Sequence, residues 1–215
     1  MARERASDTE SIIAAAARVF ERKGYSEATI GDIAAEAGIS KPTVYQYAQS
    51  KQWLLETIVE RVIYPMSERV AELLASELTP REKLERYIVE SVHNAARLKT
   101  YYAVLLNDHT ALSPPATRRF RAWVHEIDST IEALLTECVA EGSVRADIDL
   151  STATSLLNSL LTGVHRWYRP KGPMQPDEIA AETMKFLSGF FTAPPAGRRQ
   201  RPRIVTAATA ASGPR

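Results

Sequence analysis

The chain has 215 residues, 45% of them hydrophobic, with a formal net charge of +1. That length holds one or two modest domains with a real core, and no apolar run reaches the roughly 18–20 residues that a bilayer span needs. A single cysteine, Cys138, excludes an internal disulfide framework and suits the cytoplasm.

The opening segment MARERASDTE has no apolar stretch of the kind a secretory leader requires, and residues 1–7 read as a loose arm carrying Arg3 and Arg5. Ser7 and Glu10 have capping-box spacing and predict a first helix that runs to Lys23, with Gly24 just beyond it. Thr29 and Asp32 repeat that spacing ahead of a second helix, whose Ile30, Ile33, Ala34 and Ala37 share one face. Gly38 ends it, because glycine takes a left-handed turn at little cost. Ser40 then caps a third helix over Lys41–Ala48, with Pro42 in the first turn, where a missing N–H loses no helix bond.

Ser50 caps a long fourth helix that reaches about Leu78, and Thr79-Pro80 opens a fifth that ends near Leu98. A sixth covers Lys99 to Leu112. Ser113-Pro114-Pro115 breaks the chain and opens a seventh that runs to Gly142. Asp149 caps an eighth that reaches Tyr168, and Pro176-Asp177-Glu178 opens a ninth that ends near Phe191. No strand pattern or internal repeat interrupts this series. The fold class predicted is all-α: a three-helix N-terminal helix-turn-helix domain at residues 8–55 and a larger helical domain at residues 56–191. The Pro-, Ala- and Arg-rich residues 192–215 read as a disordered basic tail.

Two short helices joined by a glycine turn form a helix-turn-helix, whose second helix enters the DNA major groove. Residues 1–55 carry 7 basic and 7 acidic side chains, so this is not a diffusely basic surface. Affinity then rests on a few placed groups and on two-fold binding. Thr43 is the first choice for a base contact, and Gln46 the second, since an amide pairs bidentately with adenine. Lys51 places its amide at a helix N-terminus, a natural phosphate site, and Thr29 offers a hydroxyl. Val44 and Ile39 read as core. One short recognition helix reads few bases, which predicts a homodimer on a near-palindromic double-stranded operator. The rival reading is a sequence-tolerant DNA-binding protein without effector control, and the sparse charge argues against it.

The run Ile12 to Phe20, Lys23-Gly24-Tyr25, Thr29, Asp32-Ile33-Ala34, Ala37 to Lys41, Thr43-Val44-Tyr45, Tyr47 and Ser50-Lys51 resembles the N-terminal domain of the TetR family. The resemblance covers residues 8 to 55. It implies a ligand-responsive transcriptional regulator, most often a repressor, with Lys41, Tyr45, Tyr47 and Lys51 at phosphate-binding positions. One departure is Ala48, where the family usually carries an aromatic, and Trp53 is the residue placed to refill that space. The resemblance also implies that the last two helices, through Leu156, Leu157, Leu160, Leu161, Phe186, Leu187, Phe190 and Phe191, pair protomers. The alternative is that they complete the monomer core.

Residues 56–191 resemble the family's effector domains more loosely. Gly142, Arg145, Asp147, Asp149, Trp167 to Pro170, Gly172 and Glu178-Ile179-Ala180 look like regulators that respond to acyl-CoA thioesters. Such a ligand needs an apolar tunnel with a basic mouth. Tyr101, Tyr102, Leu105, Leu106, Trp123, Ile127, Leu157 and Leu161 are the lining candidates, His165 a polar one, and Arg118, Arg119 and Arg121 the mouth, with Arg97 and Lys99 nearby in sequence. Apolar residues at helical spacing equally serve as core.

His93, His109, His125 and His165 never fall three or four residues apart, so no helix presents a metal-ligand pair. No GxSxG, HExxH, P-loop or GxGxxG occurs. The chain is therefore expected to be neither an enzyme nor a metal or cofactor protein. Its partners are operator DNA, a small-molecule effector and a second copy of itself, without a membrane.

Overall fold

The computed structural model describes the backbone of residues 2–191 and the side chains of residues 8–189. Within them lie nine α-helices and no strand: α1 (Ala2–Lys23), α2 (Ile30–Ala37), α3 (Lys41–Tyr47), α4 (Lys51–Ala75), α5 (Pro80–Arg97), α6 (Lys99–Asp108), α7 (Pro114–Ala140), α8 (Leu150–Trp167) and α9 (Pro176–Phe191). The tail at residues 192–215 and the side chains of Arg3, Arg5, Phe190 and Phe191 lie outside the described residues.

The helix starts follow the capping residues. Thr29 and Asp32 close a reciprocal box at α2, and Thr79 and Glu82 close another at α5. Ser40, Ser50, Ser113 and Asp149 each accept a first-turn backbone N–H at α3, α4, α7 and α8. Gly38 ends α2 at φ 69°, a left-handed conformation that a side chain would strain.

Three boundaries depart from the expected ones. Helix α1 begins at Ala2, so residues 2–7 of the arm expected at residues 1–7 are helical and Ser7 lies inside the helix. Its Arg, Glu and Ala residues are good helix formers, and neither Gly nor Pro stops the helix before Ser7. Helix α4 ends at Ala75, where Ser76 turns to extended backbone and its hydroxyl donates to the Leu73 carbonyl at 2.6 Å. Helix α6 ends at Asp108 and tightens into a 3₁₀ turn at His109–Ala111. There the Asp108 carboxylate accepts from the Tyr25 N–H at 3.2 Å, a contact 83 residues away that no local pattern signals.

Two apolar cores form. One joins α1 to α3, the first half of α4, and α6, with Phe20, Ile33, Val44, Leu54, Ile58 and Leu105 all buried. The other joins the second half of α4 to α5, α7, α8 and α9 around Ile88, Ile131, Leu135 and Leu161. Position 55 is not a gap in packing, because the first core continues through Ile58, Val59 and Val62. Cys138 is buried in the second core, and that burial pushes its thiol above the usual range, so it packs as an inert apolar group.

Candidate functional site

Helix α3 is seated by Val44, which is fully buried, and presents Lys41, Tyr45 and Gln46 to solvent. Tyr45 is 53% exposed, more than a core aromatic would be. Thr43 is half-buried, and its hydroxyl pairs with the Ser40 hydroxyl at 2.7 Å, so the N-cap fixes its rotamer. Behind α3, Ala48 is buried, and Trp53 packs half-buried against the same core.

The remaining DNA-facing candidates are already engaged. The Thr29 hydroxyl accepts the Asp32 N–H and donates to the Asp32 carboxylate, which makes it a capping group rather than a free phosphate donor. Lys23 and Thr29 together hold the Asp32 carboxyl down to about 2. The Tyr47 hydroxyl donates to Asp8 on α1 at 3.0 Å. Lys51 departs furthest from expectation. Its ammonium donates to the carbonyls of Tyr25, Ser26 and Ala28 at 2.7, 3.1 and 2.8 Å and lies 4.4 Å from the centre of the Tyr25 ring. It locks the α1–α2 turn, and only its backbone amide remains for a phosphate.

A cavity of about 300 Å³ lies between α4, α5, α6, α7 and α8. Of the expected lining residues, Tyr102, Leu105, Leu106, Trp123, Ile127 and Leu161 face it. Tyr101, Leu157 and His165 do not. Tyr101 packs against the N-terminal core, and Leu157 is buried in the second core. His165 is buried, donates from Nδ1 to the Thr162 carbonyl, and stacks on Tyr102 with ring centres 6.2 Å apart.

The cavity also has a polar wall that sequence reasoning missed. The Tyr87 hydroxyl donates to Asn158 Oδ1 at 2.8 Å, and Asn158 Nδ2 donates to Asp128 Oδ1 at 2.8 Å. All three line the cavity, as does Trp123, whose buried indole N–H has no partner among the described residues. Burial pushes the Tyr87 hydroxyl far above its ordinary value, which keeps it a neutral donor. A polar residue within an apolar helical stripe was the available signal: Ser91, another lining residue, falls between Ile88 and Val92.

None of the expected mouth arginines lines this cavity. Arg119 pairs with Glu60 at 3.2 Å, and Arg121 borders a separate recess beside His109 and Phe120. The thioester-like motif residues mostly build joints. Arg145 clasps Asp147 at 2.5 and 2.6 Å, Asp149 caps α8, and a Cβ at Gly172 would meet the Arg169 carbonyl oxygen at 2.9 Å.

Residues 12–58 match the family model for bacterial regulatory proteins of the tetR family, and residues 77–190 match that for the tetracyclin repressor-like C-terminal domain. The chain belongs to the TetR family. As a member of it, this is a DNA-binding transcriptional regulator with a helix-turn-helix, and its fold is the family's. It is 26% identical over 196 residues to the HTH-type transcriptional repressor KstR2 of Mycolicibacterium smegmatis, which spans 87% of this chain and 92% of that one. The structure of the ketosteroid regulator KstR2 of Mycobacterium tuberculosis superposes with a TM-score of 0.81 at 20% identity, over 86% of this chain and 94% of that one. AibR, solved with isovaleryl coenzyme A and operator DNA, superposes at 0.73 with 19% identity, over 86% of this chain and all of that one. At these identities the two structural likenesses speak to fold alone.

Proposed function

We propose that this TetR-family regulator is a homodimeric repressor of the cytoplasm, released from its operator when a lipophilic effector fills the cavity. In this reading residues 8–55 bind DNA and residues 56–191 bind the effector and the second protomer. Lys41, Tyr45 and the Lys51 amide hold phosphates, while Thr43 and Gln46 read bases. The KstR2 relative, named a repressor, supports the repressor reading, and AibR, of the same fold and solved with isovaleryl coenzyme A and operator DNA, illustrates that this fold can hold an acyl thioester.

One observation carries the mechanism: Leu105 on α6 lines the cavity and belongs to the core beneath the helix-turn-helix. Hydrogen bonds extend that link. Asp108 at the end of α6 accepts from Tyr25, Gln52 on α4 donates to the Ala111 carbonyl, and Glu56 accepts from the Ser113 N–H. A ligand that displaces α6 therefore pulls on the α1–α2 turn and the start of α4. The two recognition helices of a dimer must stay about 34–36 Å apart to enter successive major grooves. A coupling of roughly 1–3 kcal/mol lowers affinity about 5–150-fold.

The test is binding of the purified protein to DNA flanking its own gene and to random DNA, with and without lauroyl-CoA. Specific binding lost on adding the thioester is the expected result. Specific binding that ignores every lipophile tried removes the effector half of the reading. No preference over random DNA favours a sequence-tolerant binder.

A further inference from the structure

Arg69 on α4 and Arg97 in the last turn of α5 converge on one neutral atom. Asn94 Oδ1 accepts from Arg97 Nη2 at 3.0 Å and lies 3.4 Å from Arg69 Nη1. Asn94 is fully buried, and its Nδ2 donates to the Tyr102 hydroxyl at 3.1 Å. Among the described residues neither guanidinium has a carboxylate within 4 Å, which is also true of Arg118, Arg121, Arg166 and Arg169; Arg69 and Arg97 differ from those four in sharing one acceptor. Two like charges drawn to an uncharged amide repel each other, and the amide oxygen neutralises neither. A planar guanidinium pair of this kind matches the oxygens of a carboxylate or a phosphate.

The position of the pair is as telling as its charge. Neither arginine lines the cavity, but both stand on helices that wall it: Met66 precedes Arg69 by three residues, Ser91 precedes Arg97 by six, and the lining residue Tyr102 accepts from the same Asn94 that holds both guanidiniums. Arg97 is exposed, so the pair opens to solvent. At about 300 Å³ the cavity lies at the lower end of the roughly 300–1,000 Å³ usual for ligand pockets. Its lining is mostly apolar and its one acidic residue, Asp128, disfavours an anion inside, so an anionic head lies outside it.

We propose that Arg69 and Arg97 are the head-group site of the effector, which is an amphiphile with its apolar body in the cavity and its anionic group between the two guanidiniums. This rests on the cavity being the effector site. The Asn94 amide is the pivot: its oxygen holds both arginines and its Nδ2 holds the Tyr102 hydroxyl. The head group is a carboxylate or a phosphate, and one experiment separates the two.

Titration calorimetry of the full chain with dodecanol, laurate and lauroyl-CoA provides the test. Each is measured against wild type, Arg69→Gln, Arg97→Gln and the double variant. Each single substitution is expected to weaken the anionic ligands about tenfold, since a charge-assisted bond is lost. Dodecanol affinity stays unchanged and reports that the cavity is intact. A loss confined to laurate identifies a carboxylate head, and one confined to lauroyl-CoA a phosphate head. Arg69→Lys restores part of the affinity, because charge is retained without the fork. Anions that bind the double variant as tightly as wild type overturn the proposal and leave the cavity reading standing. So does a wild type that binds dodecanol and neither anion. A wild type that binds none of the three overturns both.

Discussion

An ammonium group has three N–H bonds, and Lys51 directs all of them at carbonyl oxygens of the α1–α2 turn. These carbonyls close the turn that positions α2, so the residue supports the helix-turn-helix from behind. Lys51→Met keeps the stem and removes the charge. We expect a loss of about 2 kcal/mol, which for a chain of this size lowers Tm by about 4–8 °C. The salt dependence of operator affinity should stay as in wild type, because no phosphate-bound charge has gone. A salt slope that falls by about one would show that the ammonium swings onto the DNA backbone. The same contrast explains what was legible at this scale. Thr29, Ser40 and Ser50 could be read as caps because a cap acts on its own first turn. The destination of the Lys51 side chain depends on a turn 23–26 residues upstream, which no local spacing encodes.

Helix α4 carries the link between the two cores, and Pro65 sits inside it. Proline has no N–H to give the Arg61 carbonyl, so one rung of the helix is missing beside Met66, a cavity-lining residue. A ligand that presses on Met66 thus acts where α4 bends most easily. Pro65→Ala restores the rung and should stabilise the protein by about 1–3 kcal/mol. It should also blunt release: affinity for the operator without ligand is kept, while the loss caused by lauroyl-CoA shrinks. Thermal unfolding and paired operator titrations measure both. An unchanged ratio of liganded to unliganded affinity would remove α4 bending from the mechanism. Among the elements, α2, α3, α5 and α8 were legible because caps and apolar stripes agree. The end of α6 was not, since a tertiary contact to Tyr25 sets it. The cavity was legible only in part. Leu161 and Leu157 have the same sequence character and share one core, yet only Leu161 also lines the void.

At the scale of the molecule, α8 and α9 divide their apolar residues between two tasks. Leu157, Leu161 and Leu187 are buried in the monomer, so they complete the core rather than an interface. Leu156, Trp167 and Phe186 are 63%, 57% and 75% exposed, and Trp167 and Phe186 line a groove between the two helices. The sequence placed these leucines and Phe186 on apolar faces but could not apportion them, because the split depends on how α9 packs on α5. Exposed aromatics of this size, clustered on one face, mark an association surface. In a two-fold dimer each residue enters the interface twice. Phe186→Glu therefore places two buried charges there and removes two rings, at about 2 kcal/mol or more each, which weakens the dimer by about a thousandfold. Analytical ultracentrifugation should find a monomer with helical content intact. Such a monomer still holds its cavity and should bind dodecanol as wild type does, yet it should lose operator affinity, because one half-site contact replaces two. If Phe186→Glu stays dimeric and keeps its operator affinity, protomers pair through another face, and the spacing of the recognition helices is not set by α8 and α9.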